Sequence, residues 1–141
     1  MSTSVVKPIP KGTLLCIDDD QSVLRYETVF LESFGYTVVT ASSGREGLEL
    51  AVLNSFDVVI VDYCMPEMNG QEFATAMRRL WPQAPIIMLS GMVDVPGQAL
   101  KVVDAFVAKE YLATQLVPAI ARLREEHSAR SKHSLKRTIG A

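Results

Sequence analysis

At 141 residues, with 48% hydrophobic and 21% charged side chains, the chain has room for one globular domain with a sizeable core. Its formal charge of −2 hides an asymmetry: residues 1–121 carry 8 Lys/Arg against 14 Asp/Glu, and residues 122–141 carry 6 against 2. No apolar stretch approaches membrane-spanning length, the first residues hold no apolar h-region, and two cysteines make neither a disulfide framework nor a zinc spacing, so a reducing cytoplasm and no membrane are expected.

Met1 to Gly12, with two prolines and small polar residues, reads as a flexible arm. Thr13 to Ile17 is a first buried strand ending in Asp18-Asp19-Asp20. The spacing predicts a helix over Ser22 to Phe34, burying Val23, Phe30, Leu31 and Phe34, with Asp20 as its N-cap and Gly35 as its stop. Tyr36 to Thr40 is a second strand, and Ser43-Gly44-Arg45-Glu46 has the capping-box spacing that opens a helix to about Leu53. Val58 to Val61 is an unbroken β-branched run, as in a strand buried on both faces, and Asp62 follows it directly. Asn69 or Gly70 starts a helix to Leu80 that buries Phe73, Met77 and Leu80, and Trp81-Pro82 ends it. Pro85 to Leu89 is a fourth strand ending at Ser90-Gly91, and Asp104 to Val107 a fifth, just before Lys109. Between them only about ten residues remain for a helix, and Pro96-Gly97 limits it to two turns at most. A last helix is expected over Ala113 to Arg124, with Leu112, Leu116, Ile120 and Leu123 at core spacing and Pro118 forcing a kink or a late start. Ser128 to Arg137 lacks apolar periodicity and is expected to be disordered.

Five β-α units with short crossovers require parallel strands and right-handed connections, hence an α/β, doubly wound five-stranded parallel sheet in a three-layer architecture. Ligands of such sheets sit at the carboxyl ends of the strands, where the strand order reverses. Four of the five strands end there in functional groups: Asp18 and Asp19, Asp62, Ser90, and Lys109 just beyond the fifth. Three carboxylates in one crevice repel one another unless a divalent cation shares them, and an oxygen-only donor set favours Mg²⁺. With an ammonium and a hydroxyl beside them, these groups suit phosphoryl transfer to a carboxylate nucleophile. Cys16 and Cys64 would lie about 13 Å apart along neighbouring strands at roughly 3.3 Å per residue, too far to bridge.

The ordered set Ile17-Asp18-Asp19-Asp20, Val61-Asp62-Tyr63-Cys64-Met65-Pro66-Glu67-Met68-Asn69-Gly70, Met88-Leu89-Ser90-Gly91 and Phe106-Val107-Ala108-Lys109 resembles the receiver domain of two-component response regulators, over roughly residues 13–124. The resemblance implies a flavodoxin-like, CheY-like (βα)5 fold and a phosphoacceptor signalling domain that catalyses only its own phosphorylation and dephosphorylation. It implies Asp62 as phosphoacceptor, with Lys109 paired to it or to its phosphoryl group. It implies Mg²⁺ bound directly by Asp19, Asp62 and the Cys64 backbone carbonyl, with Asp18 acting mostly through a water. Ser90 becomes the switch hydroxyl, Phe106 the aromatic that swings inward with it, and the fourth helix, fifth strand and fifth helix the output face. The partner would be a sensor histidine kinase or histidine phosphotransfer protein.

Two features depart from that family: Glu110 follows the lysine where proline is usual, and Ser90 to Lys109 is short by about one helical turn. The 17 residues after Arg124 are too few for a DNA-binding domain, which reads as a stand-alone receiver with a basic tail over 125–141. Asp18-x-Asp20 is also similar to the nucleophile motif of haloacid-dehalogenase-type phosphatases, with Asp18 as nucleophile, although Ser22 replaces the usual Thr or Val and nothing there explains Asp62 to Gly70. A receiver-like scaffold without chemistry is the third reading.

Overall fold

The computed structural model describes residues 11–91 and 95–139. The expected arm lies almost wholly outside them. Strands β1 (Thr13–Ile17), β2 (Thr37–Ala41), β3 (Val58–Asp62), β4 (Ile86–Ser90) and β5 (Ala105–Ala108) alternate with helices α1 (Gln21–Glu32), α2 (Gly44–Leu53), α3 (Gly70–Leu80), α4 (Gly97–Lys101) and α5 (Leu112–Ile139). The strands form one parallel sheet in the order β2-β1-β3-β4-β5. The order reverses at β1, so the crevice between the carboxyl ends of β1 and β3 is the switch point.

Strand alternation splits the core into two layers. Leu14 and Cys16, Val58 and Ile60, and Ile87 and Leu89 face α1 and α5, meeting Leu24, Leu31, Leu116, Ile120 and Leu123. Leu15 and Ile17, Val59 and Val61, and Ile86 face the other way, onto Ala51, Phe73, Ala74 and Met77 of α2 and α3. Both faces of the central strands are thus covered, which is why those strands carry no polar alternation.

Local chemistry sets the helix starts. Asp20 accepts the backbone N–H of Ser22 at the head of α1, and Ser43 that of Glu46 at the head of α2. The Glu46 carboxylate reaches Ser42 rather than Ser43, so the reciprocal half of the box is displaced by one residue. Asn69 and Glu72 form the complete capping box on α3. α4 is a single short turn-and-a-half of five residues behind Pro96 with no side-chain cap, as the Pro96-Gly97 pair predicts. The Lys109–Glu110 bond is trans, since the described residues hold no cis peptide, and Lys109–Tyr111 forms a 3₁₀ turn into α5.

Three expectations need correction. The buried line of α1 is Leu24, Glu27 and Leu31, while Val23 and Phe30 are half-buried and Phe34 lies exposed beyond the helix end. The three-and-four spacing back from Leu31 runs through a glutamate, which breaks the apolar pattern that sequence reading follows. Leu80 is exposed: the buried stripe of α3 runs through Gly70, Phe73, Ala74 and Met77, and Leu80 is the last residue of the helix, beyond it. α5 starts at Leu112, one residue from the expected Ala113, and runs on through Pro118, which sits on an exposed side of the helix, where water can meet the carbonyl it leaves unpaired. Ser128 to Arg137, expected to be disordered, continue α5 as helix, which runs to Ile139. Tethering to a packed helix removes the nucleation cost that an isolated polar segment would face.

Candidate functional site at the carboxyl ends of β1 and β3

β1 delivers Asp18 and Asp19 to the crevice, and β3 delivers Asp62 beside them, because Ile17 and Val61 are register partners on neighbouring strands. Asp18 and Asp62 are buried and Asp19 is exposed, and one oxygen from each lies within 4.8 Å of the others. The Lys109 ammonium enters from the end of β5, 2.9 Å from Asp18 Oδ2 and 3.3 Å from Asp62 Oδ1. The expected pairing with Asp62 is therefore shared, and its shorter arm goes to Asp18. The other Asp18 oxygen accepts the backbone N–H of Asp20 at 2.9 Å.

One ammonium faces three carboxylates, so the site is short of positive charge. Burial first, then the charge of Asp18, pushes the Asp62 carboxyl up to about 6 against the opposing pull of Lys109. Burial works against the Lys109 ammonium, but the Asp18 hydrogen bond and the charges of Asp62 and Asp18 outweigh it and raise its pKa above the usual lysine value. A hard divalent cation fits this donor set, which is oxygen-only, clustered and under-neutralised.

The loop after β3 is held by close backbone approach. Gly70 donates its N–H to the Tyr63 carbonyl at 2.8 Å, and a Cβ at Gly70 would stand 2.6 Å from the Asp62 carbonyl oxygen. Asn69-Gly70 is thus required by packing as well as by capping. Glu67 adopts φ 68° in the same loop. Cys64 has an exposed side chain and Cys16 a buried one, and no disulfide joins them.

Ser90 is buried at the end of β4, one residue past the register partner of Asp62 and opposite Ala108, the residue before Lys109. Phe106 on β5 pairs with Met88 on β4 and is 38% exposed, so it is not a core residue here. Asp20 does not join the acidic cluster: its carboxylate caps α1 through Ser22 N and Oγ, and that hydrogen bonding lowers its pKa. That removes the second acid of the phosphatase-like motif from the site.

Two groups escaped the sequence reading. Arg78 of α3 binds Asp104 at 2.7 Å and the carbonyls of Val102 and Ala84, pinning the entry to β5. Glu27 of α1 is 2% exposed, hydrogen-bonded to the Cys16 thiol, and raised to about 8 chiefly by burial. Its position was legible only from the helix register, which the sequence does not fix.

Comparison with known proteins agrees with this geometry. Residues 14–121 match the family model described as the response regulator receiver domain. The chain is 39% identical over 83 residues to the transcriptional regulatory protein GlrR of Escherichia coli (strain K12), a match that covers 59% of this chain and 19% of that protein. The receiver domain protein from Clostridium thermocellum superposes with a TM-score of 0.77 at 30% identity, covering 83% of this chain and 97% of that one. Response regulator protein TrrA from Thermotoga maritima, in complex with Mg²⁺ and BeF, gives a TM-score of 0.76 at 27% identity, covering 79% and 97%. Among the described residues no helix is long and apolar enough to cross a membrane.

Proposed function

Since the chain belongs to the response regulator receiver domain family, we propose that it takes a phosphoryl group on Asp62 in a Mg²⁺-dependent reaction and that this switches its binding to a protein partner. The donor would be a phosphohistidine of a sensor kinase or phosphotransfer protein. The observation that carries the reading is the Asp62 carboxylate at a buried strand end, 3.3 Å from the Lys109 ammonium and clustered with Asp18 and Asp19. Asp19, Asp62 and the Cys64 carbonyl would hold the cation, with Asp18 acting mostly through a water. When bound, the cation supplies the positive charge that the site lacks and offsets charge on phosphoryl oxygens.

Above about pH 6 Asp62 is ionised, as a nucleophile must be. Its oxygen forms the new O–P bond as the P–N bond of the donor breaks, and the leaving imidazole takes a proton. Lys109 already spans Asp18 and Asp62, so its ammonium can follow the negative charge onto a phosphoryl oxygen without a large movement. Ser90, buried at the next strand end, would donate its hydroxyl to another phosphoryl oxygen, and inward movement of the exposed Phe106 would report that event at the surface.

Acetyl phosphate with MgCl2 should add a single phosphoryl group by intact mass, and none without the cation. Asp62→Asn labelled as fully as wild type would sink the assignment.

A further inference from the structure

We propose that Glu27 is a proton-linked acid beneath the cation site: a buried group that keeps its proton while the site lacks a cation and releases it when a divalent cation binds. The inference rests on the Mg²⁺ reading above.

Glu27 lies on the inward line of α1 between Leu24 and Leu31, at 2% exposure. Its carboxyl meets the Cys16 thiol, and its Oε2 has no hydrogen-bond partner among the described residues. Among the described residues no cation is paired with it, and the Lys109 ammonium is held by Asp18 and Asp62. A carboxylate so placed is costly, whereas the neutral acid is tolerated.

The charged surroundings are those of the site itself. From β1 it faces Cys16 and the charge of Asp18, from β3 the charge of Asp62, and from beyond β5 the charge of Lys109. β2 contributes no ionisable side chain, and α5 meets this layer with Leu112, Leu116 and Ile120. Burial is the largest influence, with Asp18 and Asp62 adding to it and Lys109 opposing, and the group titrates near 8. A divalent cation held by Asp19 and Asp62, with Asp18 acting through a water, would offset the push of Asp18 and Asp62 and add attraction for an anion nearby. The carboxyl O–H then breaks heterolytically, the proton passes to buffer, and no electrons are exchanged. By linkage, cation affinity must rise with pH through the range in which Glu27 titrates. An inert polar filler of the core would show no such coupling.

The test uses the full chain and MgCl2 alone. Calorimetric titrations at pH 8 in two buffers of different ionisation enthalpy count the protons released per Mg²⁺ bound. Wild type should release about half a proton, the protonated fraction of a group titrating near 8, while Asp62 contributes only about a hundredth at that pH. Glu27→Gln should bind Mg²⁺ with no such release. As a check that needs no variant, the Glu27 side-chain ¹³C resonance should titrate at least one pH unit lower with saturating Mg²⁺ than without. Mg²⁺ binding to wild type at pH 8 with no proton release and an unmoved ¹³C titration would overturn this inference alone. Failure of wild type to bind Mg²⁺ at all would overturn the metal reading above, and this one with it.

Discussion

Gly70→Ala tests whether the loop after β3 is held by backbone contact. The added Cβ would stand 2.6 Å from the Asp62 carbonyl oxygen and 2.9 Å from Tyr63 Cα, and both obstacles are backbone. Ordinary contact needs roughly 3.4 Å, so the head of α3 and the end of β3 must separate by about 0.5–0.8 Å. The 2.8 Å hydrogen bond from Gly70 N to the Tyr63 carbonyl resists that movement, and the Asn69–Glu72 box fixes the helix end from the other side. Overpacking of this kind costs about 1–3 kcal/mol. Alanine returns less than about 1 kcal/mol in helix propensity, because the full amount applies only to helix interiors. The steric term therefore wins. Urea denaturation should show a midpoint lowered by about 1 M for a slope of about 1–3 kcal/mol per M. Acetyl phosphate labelling should fall as well, since the Asp62 carbonyl and its side chain belong to one residue. A variant as stable as wild type, with unchanged labelling, would refute the packing argument.

Asp19→Asn should weaken Mg²⁺ binding and phosphorylation, whereas Asp20→Asn should leave Mg²⁺ affinity near wild type, because Asp20 is spent on the Ser22 cap; equal losses in calorimetry would contradict the assignment. In EDTA the protein should lose stability as pH rises from about 4.5 to 8. Glu27 binds its proton more tightly in the fold, near 8, than at its ordinary 4.5, so folding takes up a proton across that window, an effect on the order of 3–5 kcal/mol at full extent. Urea midpoints at pH 5 and pH 8 should show that slope in wild type and a smaller one in Glu27→Gln, and identical slopes would count against it. α4, five residues long without a side-chain cap, should exchange its amides faster than α3 and change protection when beryllofluoride fills the site; protection equal to α3 in both states would contradict this.

The alternation of strands and helices and the residues at the strand ends are legible along the chain. Each of those features is local: a β-branched run, a cap three residues before its partner N–H, a proline-glycine pair that leaves room for one short helix. The strand ends then placed Asp18, Asp19, Asp62, Ser90 and Lys109 on one edge, since parallel strands share a direction. Tertiary structure decided what depends on rotation and distance. The turn of α1 against the sheet put Glu27 inside and Phe34 outside, although the apolar pattern favoured the reverse. Which carboxylate Lys109 approaches more closely, across 91 residues of chain, follows from how β5 ends at the sheet edge beside β4, with β3 and then β1 beyond it, and no spacing encodes it. The requirement for glycine at position 70 comes from a carbonyl brought up by another element, not from the turn propensity that made Asn69-Gly70 legible. Residues 125–139 are polar enough to read as disordered, yet they extend a helix that the core has already nucleated, and a propensity read along the chain carries no record of that anchorage.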